Sequence, residues 1–360
     1  LYEHGHIFCD VLIVGSGPAG LSAAAKLSKL GLDILLVEQD FEPGGDYLSQ
    51  EQPPVKYKQL LDVIKKSEVR LMTRTTVFGL YDHGTAGLLE RVTDHLSNPS
   101  PSTPRQRFWT VRSKHTILAT GALERNFIFG NNDMPGIMTA TAANTYLCRF
   151  GILPGKKIII STNNDSAYEV SLALAKAGAS VSLLDARPKL PTQLSNLVRE
   201  YGITVCEKAA AQKANGSKFV TNIEISTFNG EVWKQGYSED CDLALVSGGW
   251  NPIINLHSHR GLKPYWDNKN CCFMPDNSHD TVKLAGAAIG IWDLSKCEVS
   301  GEAVASSVAK AFGKSTSEIK APKSKGWKNQ IQPLYEVTLP GKKQKGFVDL
   351  QHDVTATDIR

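Results

Sequence analysis

The chain has no C-x-x-C pair. Its seven cysteines are scattered as Cys9, Cys148, Cys206, Cys241, Cys271, Cys272 and Cys297. Iron–sulfur and zinc sites of the usual spacing are therefore not expected. A redox dithiol is also excluded, because no cysteine lies between Cys9 and Cys148 and the central region has only the separated Cys206 and Cys241. An odd number of thiols suits a reducing cytoplasm, the expected location. Neither sign of charge dominates: Lys+Arg 40 against Asp+Glu 36 give a formal net charge of +4. That balance argues against a nucleic-acid partner. No apolar run has the length of a membrane span, so no membrane partner is expected. No secretory signal precedes the first apolar strand. No Ser/His/Asp or Cys/His set stands in a recognisable context, so no catalytic side chain is nominated. His4 and His6, and His257 and His259, alternate in pairs without a convincing third ligand. They are read as structural or surface residues, and no metal is expected.

The 360 residues, 41% hydrophobic and 21% charged, suit a soluble protein of two ordinary domains. The chain starts at Leu1 rather than Met, and DVTATDIR at its end resembles the opening of another element. An internal piece of a longer polypeptide is expected.

One motif occurs twice, intact and then degenerate. CDVLIVGSGPAGLSAAAKL places a strand (Val11–Val14), a turn with Gly15, Gly17 and Gly20, and a helix from about Ala19 in succession. Gly15 permits the tight turn, Gly17 lets backbone approach a pyrophosphate, and Gly20 lets helix and strand pack closely. The helix starting near Pro18 points its free N–H groups at the phosphates. Glu38, ending the strand Ile34–Val37, is placed to accept from a ribose hydroxyl. A carboxylate there repels a 2′-phosphate, so NAD or FAD fits better than NADP. In the second copy, KKIIISTNNDSAYEVSLALAKAGASVSLLD, the residues Thr162, Asn164 and Ala167 replace the three glycines. Asp165 or Ser166 falls where a helix cap belongs, and Asp165 adds negative charge. Asn and Ala at these positions leave a working site conceivable, but an empty second site is expected.

These units give an expected fold of α/β class: two Rossmann-like, flavoprotein reductase-type domains, the second inserted in the first. Residues 1–150 with 256–313 form the first domain, and 151–255 the second. Residues 314–360, rich in Lys, Pro and Gly, form a linker or arm. Within the first domain, Gly45 in EPGGDYLS can bring backbone near a ligand, and Leu60–Lys66 reads as helix. Val77 sits where strand residues flank adenine in such folds. A hairpin tip is expected near Asn98–Pro104. The strand HTILATGA ends at Thr120–Gly121. The returning segment VKLAGAAIGIWDLSKC turns at Gly286 and starts a helix near Asp293, which brings Ala287 to the first site.

Several stretches together resemble the alpha subunits of heterotetrameric sarcosine oxidases. They are VLIVGSGPAGLSAA, ERVTDHL with PRQRFWTVR, TILATGALERNFIFGNNDMPGIMTATAANTYL, TNNDSAYEVSLAL, LALVSGGWNP and FVDLQHDVTATDI. The resemblance spans nearly the whole chain. It implies NAD in this chain, FMN at the interface with a beta subunit, FAD in that beta subunit, and gamma and delta partners. It also implies oxidation of sarcosine to glycine with hydrogen peroxide, and transfer of the one-carbon unit to tetrahydrofolate by a domain absent here. By resemblance the NAD contacts are Ala19, Glu38, Gln39, Asp40, Asp46, Val77, Ala287, Trp292 and Leu294. Asp46 stands where a small hydroxyl residue suits a phosphate better, and Trp292 and Leu294 are bulkier or less polar than expected. The alternatives are a related proline, opine or other secondary-amine dehydrogenase subunit, and a self-contained NAD(P)H:acceptor reductase. FAD in place of NAD, and a module whose NAD only stabilises the fold, also remain open.

Overall fold

The computed structural model describes residues 2–276, 281–317, 319–320, 331–341 and 344–360. Most of KAPKSKGWKN, part of the expected linker, lies outside them. The described residues form two units. The first comprises Leu1–Leu123, Pro252–Asp267 and Cys272–Lys325; the second comprises Glu124–Asn251, Asn268–Cys271 and Gly326–Arg360.

The first unit opens with β1 (Tyr2–Val14), α1 (Pro18–Leu27), β2 (Ile34–Val37), α2 (Val55–Lys65) and β3 (Arg70–Met72). It continues with β4 (Thr75–Tyr81), β5 (Thr85–Arg91) and β6 (Gln106–Leu118). The sheet order is β3-β2-β1-β6-β5-β4. Its centre is parallel, and β4, β5 and β6 form an antiparallel arm. Val11–Val14 is buried and uniformly apolar, as expected of a parallel strand covered on both faces. The same strand extends back to Tyr2 as a half-exposed arm along β6. Strand order reverses between β1 and β6, so the crevice beyond the carboxyl end of β1 is the expected ligand position. Asn98–Ser102 is an exposed part of the β5–β6 connection.

The strand β7 (Ala122–Glu124) precedes the second unit's core. That core contains β8 (Ile137–Thr139), α3 (Ala140–Phe150), β9 (Lys157–Thr162), α4 (Ser166–Lys176), β10 (Ser180–Asp185), α5 (Thr192–Glu200) and β11 (Thr204–Glu207). An antiparallel group of β12 (Ala209–Gly216), β13 (Val220–Phe228) and β14 (Trp233–Asp240) follows, then β15 (Leu243–Ser247). The main sheet is parallel, ordered β11-β10-β9-β15-β8. Because β8 pairs with β15 and Ala140 and Ala143 of α3 join the core with Ile158 and Leu245, residues 124–150 group with the second unit.

Next come β16 (Trp250–Pro252), α6 (Asn255–Ser258), β17 (Tyr265–Asp267) and β18 (Cys272–Met274). Then β19 (Val282–Leu284) pairs in parallel with β6 and leads into α7 (Leu294–Ala311). Asp293 caps α7, its carboxylate accepting from the Lys296 N–H at 2.9 Å. Helices α1 and α7 pack backbone to backbone, because a Cβ on Gly301 would lie 2.0 Å from the Ala19 carbonyl oxygen. The chain ends with β20 (Phe347–Asp349), β21 (Val354–Thr355) and α8 (Ala356–Ile359), grouped with the second unit. Among the described residues no helix is long and apolar enough to cross a membrane.

Candidate functional site

In the first unit the three glycines are constrained by different things. Gly15 has φ +95°, and a Cβ there would lie 2.3 Å from the Ala119 carbonyl oxygen. Gly20 lies so close to the strand that a Cβ would meet the Gly15 carbonyl oxygen at 1.9 Å. Gly17 is different. Its φ of −70° is open to any residue, and the nearest atom to a built Cβ is the Gly45 Cα at 4.0 Å. The protein itself therefore gives Gly17 no reason to lack a Cβ. The open space lies at the start of α1, with Pro18 at its first position and no acid in the first turn. Free N–H groups and the positive helix end make this space suited to a phosphate.

Glu38 is 8% exposed. Its Oε2 accepts from the Ser16 N–H at 2.9 Å and from the Ser16 hydroxyl at 2.6 Å, and its Oε1 accepts from the Asp40 N–H at 2.9 Å. The carboxylate thus ties the glycine turn to the end of β2, with one donor on Oε1 and room for a ribose hydroxyl. The sequence expectation assigned the ribose to Glu38 but missed Ser16. Its signal was a small hydroxyl residue between the first two glycines. Gln39 is exposed, and its carbonyl accepts from Arg91 at 3.1 Å. The Asp40 carboxylate accepts from the Phe41 N–H at 2.6 Å.

The other expected site residues divide into two groups. Gly45 lies against the glycine turn, since its Cβ would be 2.9 Å from the Gly17 Cα. Asp46 follows it directly. Ala19 touches Gly286, whose Cβ would lie 2.8 Å from that of Ala19, so the returning turn with Ala287 reaches the start of α1. Ser300, not anticipated, fixes that turn by accepting the Gly286 N–H at 3.1 Å. Leu294 packs at the margin of the core beside α1, and Trp292 is half-buried. Val77 is buried in the opposite core layer with Val14 and Val37, so its side chain serves packing. Thr120 and Gly121 form a turn held by Ile253: the Thr120 hydroxyl donates to its carbonyl at 2.6 Å, and its N–H donates to the Gly121 carbonyl at 3.0 Å.

The corresponding turn in the second unit is filled by its own side chains. The Thr162 hydroxyl is buried and bonded to the Asn164 and Ser247 carbonyls. Asn164 Oδ1 accepts from the Ser166 N–H at 3.0 Å, so the first free donor of α4 is taken. Asp165 stands at the cap position as expected, but its side chain makes no cap bond, and the Asn164 side chain accepts that N–H instead. The Asp165 carboxylate instead pairs with Arg187 at 2.7 Å. Arg187 also pairs with Asp185 at 2.7 Å, and Tyr168 donates to Asp185 at 2.8 Å. Asp165 therefore does not stand as a bare charge repelling an anion, because Arg187 compensates it. The second helix end on this side, at α3, carries the Glu124 carboxylate, which accepts from the Thr141 N–H at 2.7 Å and from its hydroxyl. Burial pushes the Glu124 carboxyl up against the lowering effect of these bonds. The starts of α3 and α4 are thus occupied by protein oxygens.

No group of three or more His, Cys, Asp or Glu among the described residues could hold a metal ion. All seven cysteines are free thiols. Burial pushes Cys9, Cys241 and Cys297 each up to about 12, which makes them poor nucleophiles.

The model of the pyridine nucleotide-disulphide oxidoreductase family matches residues 9–270. The chain is 32% identical over 369 residues to the sarcosine oxidase subunit alpha of Rhizobium meliloti (strain 1021), covering 99% of this chain and 36% of that protein. It is 34% identical over 378 residues to the subunit of the same name from Corynebacterium sp. (strain U-96), covering 99% of this chain and 39% of that protein. The chain thus spans little more than a third of the length of these relatives. Among solved structures, L-proline dehydrogenase from P. horikoshii superposes with a TM-score of 0.66 at 20% identity, covering 89% of this chain and 62% of that one. The structural likeness bears on the fold, which is α/β with two Rossmann-like units.

Proposed function

The chain belongs to the pyridine nucleotide-disulphide oxidoreductase family, and on that premise we propose that it is the NAD-binding core of the alpha subunit of a sarcosine oxidase complex. The observation that carries the cofactor assignment is the open space at Gly17, beside a helix start and Glu38. The residues present fit a dinucleotide. Gly15, Gly17, Pro18, Ala19 and Gly20 would hold the pyrophosphate, with Gly45, Asp46, Gly286 and Ala287 around it. Glu38, Gln39 and Asp40 would receive the adenosine ribose. Its carboxylates favour NAD over NADP, and FAD in the same site is the alternative. A bound dinucleotide supplies an electron acceptor or a structural core; this chain's residues bind and orient it.

The disulphide chemistry in the family's name is not proposed for this chain, which has no C-x-x-C pair. The amine specificity follows from the relatives' name. Sarcosine is the proposed substrate, with glycine, hydrogen peroxide and 5,10-methylenetetrahydrofolate as products of the whole complex. Oxidation is assigned to FAD in a beta subunit and FMN at the interface with it, with gamma and delta subunits completing a cytoplasmic assembly. The decisive experiment is to assay oxygen consumption with sarcosine, proline and opines on the chain alone and on the full-length subunit assembled with its partners. Oxidation of sarcosine by the assembly alone is the expected result. Preference for proline or an opine would reassign the substrate, and turnover by the isolated chain would overturn the division of labour.

A further inference from the structure

The two oxygens of the Glu38 carboxylate are engaged unequally. Ser16, between the first two glycines, is fully buried and gives Oε2 two hydrogen bonds, from its N–H at 2.9 Å and from its hydroxyl at 2.6 Å. A carboxylate oxygen has two lone pairs, so Oε2 is full. Oε1 accepts from the Asp40 N–H at 2.9 Å. These three bonds leave one lone pair, on Oε1. The backbone around both residues is fixed as well. The Gly15 N–H donates to the Val37 carbonyl, and the Glu38 N–H donates to the Met72 carbonyl, each at 2.8 Å. The Glu38 carbonyl accepts from the Thr75 N–H at 2.8 Å. The carboxylate can therefore move only through its own side-chain torsions, and the Ser16 hydroxyl resists that rotation.

Resting on the assignment of a dinucleotide to the first site, we propose that Ser16 is a positioning residue that sets which ribose hydroxyl Glu38 reads: the 2′-hydroxyl alone, through Oε1. Ser16 is buried and does not meet the ligand; it acts through Glu38. An adenosine ribose offers two adjacent hydroxyls, and an unrestrained carboxylate can accept one on each oxygen. With Oε2 held to the glycine turn, one acceptor remains. A carboxylate ending the second strand of such a fold accepts from the 2′-hydroxyl. The 3′-hydroxyl is then left to water.

The same restraint governs rejection of a 2′-phosphate. Cations that could pair with one stand close by. The Arg91 guanidinium donates to the Gln39 carbonyl at 3.1 Å, one residue beyond Glu38. The Arg74 guanidinium lies over the Phe41 ring, 5.2 Å from its centroid. Lack of positive charge is therefore not what excludes NADP. A 2′-phosphate offers no proton to Oε1 and meets a carboxylate that cannot turn away, because Ser16 holds it. Rejection by a fixed like charge is a stronger discriminator than the absence of a contact.

The test is calorimetric titration of nucleotide-free protein with NAD, NADP and the NAD analogues lacking the adenosine 2′- or 3′-hydroxyl. In the wild type, loss of the 2′-hydroxyl should weaken binding by about tenfold or more, and loss of the 3′-hydroxyl by less than about threefold. NADP should bind about 100-fold more weakly than NAD, or worse. Ser16→Ala removes the hydroxyl and keeps the backbone donor. It should shrink the penalty for the missing 2′-hydroxyl to under about threefold and narrow the preference for NAD over NADP by about fivefold or more. A serine that only stabilised the turn would weaken all four ligands by one common factor, so unchanged ratios in Ser16→Ala would overturn its role. Equal or reversed penalties for the two deoxy analogues in the wild type would overturn it too, and that arm needs no variant to fold. Either result leaves the cofactor site standing. Failure of the wild type to bind any of the four would overturn the cofactor assignment itself.

Discussion

Replacing Gly17 by Val should separate ligand binding from folding, because the structure leaves a Cβ there in ordinary contact distance of the protein and in space that a ligand would contest. The nearest atom to a Cβ at Gly17 is 4.0 Å away, and the backbone at φ −70° and ψ −171° accepts any residue. Two small terms act on stability in opposite directions. Losing glycine at the helix cap costs up to about 1 kcal/mol, and the stiffer unfolded chain returns a similar amount. Net stability should change by less than about 1 kcal/mol. Binding should fall by at least about 100-fold, or about 2.7 kcal/mol, because the side chain occupies the pyrophosphate's position. Gly20→Ala is the matched control. Its Cβ would sit 1.9 Å from the Gly15 carbonyl oxygen, so backbone must shift, at a cost of about 1–3 kcal/mol. That shift moves the glycine turn as well, so this variant should lose both stability and affinity. Urea unfolding followed by circular dichroism gives the first quantity, and NAD calorimetry gives the second. NAD binding by Gly17→Val at wild-type affinity would refute the reasoning, as would a destabilisation equal to that of Gly20→Ala.

Three further outcomes follow from the same geometry. Glu38→Gln sets an amide NH2 against at least one of the donors now bonded to the carboxylate, so NAD affinity should fall by about 1–2 kcal/mol; unchanged affinity by calorimetry would remove Glu38 from the ribose site. Arg187→Met leaves Asp165 and Asp185 without their buried partner, and should cost about 3–5 kcal/mol in urea unfolding; a loss under about 1 kcal/mol would show that the network is not structural. The isolated chain supplied with FAD, FMN and NAD should not oxidise sarcosine in an oxygen electrode, and turnover near one per second or faster would place an active site here.

The glycine turn was legible because its residue types answer to local backbone geometry, which spacing alone reports. Gly15, Gly17, Gly20 and Glu38 fall where that spacing puts them, as does the helix after Asp293, while the helix expected over Leu60–Lys66 begins earlier, at Val55, and ends at Lys65. Contacts that depend on distant segments were less visible. Ala209–Gly216 contains AAAQ, a helix-favouring run, yet it forms a strand because β13 supplies its hydrogen-bond partners. The arm of β1 from Tyr2 to Asp10 exists because β6 lies alongside it across a hundred residues of sequence. Asp165 stands at the cap position, but Arg187 takes its carboxylate and the Asn164 side chain makes the bond to the helix start. Sequence spacing identified the degenerate site, but only packing shows that Thr162 and Asn164 fill it.

The central claim is one dinucleotide per chain, held at the first glycine turn. Its most direct measurement is the stoichiometry of NAD binding to nucleotide-free protein by calorimetric titration. The expected result is a single site per chain in the wild type and none in Gly17→Val. Two sites per chain would contradict the filled second turn, and a single site that survives in Gly17→Val would place the ligand elsewhere.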